Sequence, residues 1–74
     1  MAAISTGELD RMIDAIKGAL KGVGDVNRLE WCLAKAKRFL KQELEKLPDE
    51  NFTVEKIVEL LEQATEVARA CLEE

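Results

Sequence analysis

The chain has no histidine and no tyrosine, and only one tryptophan, one proline and two cysteines among its 74 residues. Each shortage excludes something. Without histidine, the commonest general base and the side chain that switches charge near neutral pH are both missing. With Trp31, Phe39 and Phe52 as the whole aromatic set, a core must be assembled from Leu, Ile, Val and Ala, which suits helices. Two cysteines without a CxxC spacing cannot form a structural zinc site by themselves. No apolar run approaches the ~18 residues of a membrane-spanning helix. No segment alternates with period two, so no strand is expected.

Charge is lacking in one sign. The net charge of −4 runs against general affinity for nucleic acid, which requires a basic footprint. The opening MAAISTGELD holds neither the basic nor the apolar block of a signal peptide, so a cytoplasmic setting is expected.

Apolar residues make up 47% of the chain, enough for one core and one domain over 1–74. A domain of this size buries only ~60% of its unfolded surface, so its stability is expected to be modest.

Three segments carry helical periodicity. In the first, Ser5 and Glu8 have capping-box spacing, and Ile4 and Leu9 fall at hydrophobic-staple positions. Leu9, Met12, Ile13, Ile16, Leu20 and Val23 follow at three- and four-residue steps. Gly22 and Gly24 supply the left-handed geometry that ends a helix. The second segment starts at an N-cap, Asp25 or Asn27. Its buried stripe is Leu29, Leu33, Ala36, Leu40, Leu44 and Leu47, flanked by Cys32 and Phe39, and Pro48 marks its exit. The third starts at Thr53, with Phe52 and Ile57 as a second staple. Val54, Ile57, Val58, Leu60, Leu61, Ala64, Val67, Ala68, Cys71 and Leu72 form a broader face that can meet both other helices.

Short loops between long helices favour antiparallel neighbours. The expected fold is therefore all-α, an antiparallel up-down-up three-helix bundle with helices over about 6–22, 26–47 and 53–73. A rival arrangement keeps the second and third helices as a hairpin and swings the first onto another chain. Gly18, Gly22 and Gly24 weaken the first helix enough to keep that rival in view.

Two outward rows are the candidate functional residues. On the second helix, Trp31, Lys35, Arg38 and Gln42 share the face opposite the buried stripe. Trp and Arg are frequent anchors of protein interfaces, so the row reads as a docking surface. Two plainer readings compete with it. Trp31 pairs with Val26 as a staple if Asn27 is the cap, or Lys35 stacks over the indole at the surface. On the third helix, Glu55, Glu59, Glu62, Glu66 and Glu73 form an acidic stripe. It is either a solvated face or a contact for a basic partner, including the basic row of a second copy. The interface residues expected are thus Trp31, Lys35, Arg38, Gln42, Glu59, Glu62 and Glu66.

The remaining features point to little chemistry. Arg28, Lys35, Lys37, Arg38 and Lys41 spread around the second helix and are interrupted by Glu30, Glu43 and Glu45, so they do not form a nucleic-acid ridge. Ser5, Thr6 and Thr53 sit at helix starts, where capping explains them, and Thr65 has no base in sequence reach. Gly22-Val23-Gly24 lacks the strand and further glycines of a phosphate loop. Asp10 and Asp14 do not complete a carboxylate metal site, because the Glu-x-x-His pair is absent. Ala15, Gly18 and Gly22 make a small-residue row on the first helix, read as weak helix specification.

Cys32 and Cys71 lie at comparable distances from the Pro48 turn, so a disulfide is geometrically open to them. In a reducing compartment two packed, reduced thiols are expected instead.

The sequence is thus read as a non-enzymatic interaction module with no cofactor. Its expected partner is another protein or, in first place, a second copy as a homodimer. The alternatives are a carrier of a small apolar ligand or metal in a cavity beside Ala64, Ala68 and Cys71, and, third, a small nucleic-acid-binding regulator.

Overall fold

The three- and four-residue apolar steps become α1 (Thr6–Ala19), α2 (Val26–Lys46) and α3 (Val54–Glu73) in the computed structural model, which describes residues 6–74. There is no strand among the described residues, and all three helices pack on one another in one chain. The fold is an all-α three-helix bundle. The rival with α1 on another chain is not adopted. The proposed Ser5–Glu8 box and Ile4–Leu9 staple involve Ile4 and Ser5, which lie outside the described residues.

Local chemistry sets most boundaries. Asp25, not Asn27, caps α2: its carboxylate accepts the Asn27 amide at 2.7 Å. Leu47 turns extended ahead of Pro48, as the residue before a proline prefers, and closes α2. A single 3-10 turn, Asp49–Asn51, reverses the chain. Thr53 then caps α3, its hydroxyl accepting the Lys56 amide at 3.2 Å. Phe52 and Ile57 are both half-buried at the staple positions beside it.

Helix α1 ends about a turn before the expected residue 22. Gly22 and Gly24 do take positive φ, +87° and +73°, but the chain has left helical geometry after Ala19. Val23 is consequently off the stripe and 43% exposed.

The core is a single cluster. Leu9, Ile16 and Leu20 enter it from α1 and its turn; Leu29, Cys32, Leu33, Ala36, Leu40 and Leu44 from α2; Leu60, Ala64, Ala68 and Cys71 from α3. Met12, Ile13, Phe39, Leu47, Phe52, Leu61 and Leu72 close it at the edges. The broad face expected on α3 is narrower than the pattern suggested, for Val54 and Val58 are 78% and 46% exposed. Both lie in the first turns of α3, at the end of the bundle where α1 is shortest against its neighbours.

The contact between α2 and α3 is the most extensive of the three. The expectation of reduced thiols is overturned: Cys32 and Cys71 form a disulfide, with Cα atoms 5.7 Å apart. The antiparallel hairpin explains why. Its turn at residues 48–53 brings the start of α2 level with the end of α3, and both cysteines turn inward there. Three- and four-residue steps from that bond set Ala36 near the level of Ala68, Leu40 near Ala64 and Leu44 near Leu60, all buried.

Candidate functional site

The outer face of α2 carries the first candidate row, and it exists because the inner face is fully committed to the core. With Leu29, Leu33, Ala36 and Leu40 buried, helical geometry turns Trp31, Lys35, Arg38 and Gln42 the other way. Trp31 is 53% exposed, an unusual position for the only indole of so small a chain. The Lys35 ammonium lies 4.7 Å from the centre of its ring, a cation–π contact. Stacking by Lys35 is therefore real, and it leaves half of the tryptophan open. The staple reading fails, since Asp25 is the cap and Val26 is 71% exposed.

Arg38 and Gln42 continue the row along the next turn, both exposed. Among the described residues no ion pair involves Arg38, Lys35 or the neighbouring Lys41. The other α2 cations are occupied. Lys37 pairs with Asp10 of α1 at 3.1 Å, and Lys46 with Glu43 at 3.4 Å. Across the same seam Lys17 meets Glu30 at 2.9 Å, and this bond holds the Lys17 ammonium above the ordinary lysine pKa.

Arg28 has a task that composition did not reveal. Its guanidinium donates to the carbonyl oxygens of Cys71 at 3.1 Å and Glu74 at 3.2 Å. It thus adds a charged donor at the end of α3, where the Cys71 oxygen also accepts the Glu74 amide at 3.4 Å, and places positive charge at the negative end of that helix. The signal available in the sequence was indirect: Arg28 stands one turn before Cys32, whose bridge partner is Cys71. With Arg28 and Lys37 engaged, the outward basic footprint shrinks to Lys35, Arg38 and Lys41.

The α3 row lies on solvent as expected. Glu59, Glu62 and Glu66 are exposed along one face. Lys56 reaches Glu59 at 3.8 Å and Arg69 bonds Glu66, both along the same helix. Glu62, in the middle, has no ion-pair partner among the described residues. The structure gathers each row on its own helix, and no ion pair joins the two rows within the chain.

The site proposed for a cavity, beside Ala64, Ala68 and Cys71, lies in the buried core. Both alanines are fully buried, and the Cys71 end is taken up by the bridge to Cys32. A groove of about 220 Å³ runs between α1 and α2, lined by Ile13, Lys17, Glu30, Leu33 and Lys37 among others. It is open to solvent, and the Lys17–Glu30 pair lies across it. Among the described residues no three His, Cys, Asp or Glu side chains are grouped to hold a metal ion. Thr65, the one hydroxyl away from a helix start, donates to the Leu61 carbonyl at 2.8 Å. No described helix is long and apolar enough to cross a membrane.

In comparisons with known proteins, no family model, no curated protein and no solved structure matches this chain.

Proposed function

We propose that the chain is a non-enzymatic protein-interaction module that docks through the outer face of α2, with self-association, in its simplest form a homodimer, as the favoured mode. The observation that carries this reading is Trp31. A large aromatic stands half-exposed in the second turn of a packed helix, in one row with Lys35, Arg38 and Gln42. Burying such an indole against a partner recovers apolar area that the monomer leaves wet. Trp and Arg are also the residues whose truncation most often costs binding.

A basic nucleic-acid surface has less support, since three unpaired outward cations on α2, in a chain of net charge −4, give a small footprint. Cytoplasmic placement remains a proposal too, and the Cys32–Cys71 bond weighs against it, because such bonds persist chiefly in oxidising compartments. Alkylation of thiols during rapid lysis, read by mass spectrometry, decides that point: alkylated Cys32 and Cys71 support a reducing setting, and an unalkylated, bridged pair opposes it.

Light scattering at micromolar to millimolar concentration tests the docking face. The expected result is a mass above the monomer that Trp31→Ala returns to the monomer. A strict monomer with Trp31→Ala indistinguishable from it removes self-association. Native mass spectrometry of the same sample covers the carrier alternative, where a bound small molecule is the diagnostic result.

A further inference from the structure

We propose that the surface received by the α2 row is the acidic row of α3 on a second copy, a head-to-tail contact between unlike faces. This rests on the reading of α2 as a docking face and names what docks there. Three observations support it together.

The first is spacing. Trp31, Lys35, Arg38 and Gln42 step by four, three and four residues, and so do Glu55, Glu59, Glu62 and Glu66. Each row covers the same length of helix, about 16 Å. The pattern reads identically in both directions. Laid antiparallel, Lys35 meets Glu62 and Arg38 meets Glu59; laid parallel, Lys35 meets Glu59 and Arg38 meets Glu62. Either orientation yields two opposite-charge pairs at the centre.

The second is availability. Arg38 and Glu62 have no ion-pair partner among the described residues, and no ion pair of the chain links one row to the other. Lys56 and Arg69 compete for Glu59 and Glu66, which leaves Glu62 as the principal acceptor. The third is the anchor. Trp31 stands at one end of its row, so the indole covers the end of the α3 row while the charges set the register.

In the head-to-tail arrangement each interface takes the α2 row of one copy and the α3 row of the next, so the contact is heterologous. A dimer made this way keeps one free row on each copy, so the average mass continues to rise with concentration. Exposed charge pairs are screened strongly by salt, so the association weakens steeply as ionic strength rises.

A charge exchange tests the pairing. One variant carries Lys35→Glu and Arg38→Glu; the other carries Glu59→Lys and Glu62→Lys. All four sites are surface positions, and circular dichroism with thermal unfolding checks that both variants remain folded. By sedimentation equilibrium, each variant alone is expected to associate roughly tenfold or more weakly than the native chain. Mixed one to one, they are expected to associate again, because every contact between unlike copies is now complementary. A Glu59→Lys/Glu62→Lys chain that associates as the native one does overturns the pairing. If Trp31→Ala still disperses that chain, α2 remains the docking face and only its acceptor is wrong. A mixture that stays as dispersed as its components also overturns it, as does a native chain that is monomeric throughout.

Discussion

Trp31 separates function from stability at the level of one residue. It is 53% exposed and its ring is in contact with Lys35, so truncation removes little from the core. Trp31→Ala should change unfolding free energy by about 1 kcal/mol or less while abolishing association. Chemical denaturation followed by circular dichroism, beside light scattering, separates the two effects. Leu40 is the opposite case: fully buried at the centre of α2, it should cost about 2–5 kcal/mol on replacement by alanine, a large share of a small domain's stability. Arg28→Ala should cost about 1 kcal/mol in the same denaturation experiment, because two carbonyls at the end of α3 lose a charged donor. The leucines and Trp31 were legible in the sequence because helical period alone decides which way they point. Arg28 was not. Its partners come from a residue range some forty positions away, and only the tertiary register brings them within reach.

At the scale of elements, the hairpin of α2 and α3 is the stiff unit and α1 is the lighter attachment. The Cys32–Cys71 bond closes a separation of 39 residues, which the chain-entropy model values at about 4 kcal/mol. Reduction by a dithiol should therefore lower the melting temperature by about 20 °C, measured by circular dichroism with and without reductant. An unchanged melting temperature would mean that the bond constrains little. Helix α1 meets α2 through Leu9, Ile16 and Leu20 and through exposed ion pairs, so its amides should exchange with deuterium before those of α2 and α3. One of those pairs has a pH signature. Glu30 raises the Lys17 pKa, chiefly by its hydrogen bond and then by its charge. A raised cation stabilises the fold below the ordinary lysine value of 10.5 and loses that contribution as pH climbs through the higher folded value. On the alkaline side, the seam between α1 and α2 should thus loosen only above the ordinary lysine range.

Element identity was readable from caps and stripes, down to Thr53 and the Pro48 exit. Two things were hidden. Sulfur chemistry depends on compartment as well as geometry, so the sequence could place Cys32 beside Cys71 without deciding whether they were joined. Coverage depends on where a neighbour stops. Val23, Val54 and Val58 fall on apolar stripes by spacing, but the chain leaves helical geometry after Ala19, ahead of Val23, and Val54 and Val58 stand at the opposite end of the bundle, beside the start of α1.

For the molecule as a whole, charge is sorted by face. The bundle measures 39 × 20 × 16 Å, so most of its surface is helix flank and few positions remain for selectivity. The cations left outward concentrate on α2, and α3 presents carboxylates on its own flank. Whole-molecule behaviour should follow that division: association that weakens with salt and strengthens with concentration, without change in helix content. The candidate rows were legible from spacing alone; their separation within one chain, which leaves them available to another, emerged only with the packing. The most direct test is the concentration dependence of mass by sedimentation equilibrium for the native chain and for Trp31→Ala, at low and physiological salt. A native mass that rises above the monomer, falls with salt and is lost in Trp31→Ala is the expected outcome. A Trp31→Ala chain that associates as strongly as the native one contradicts the assignment of α2's outer face as the docking surface.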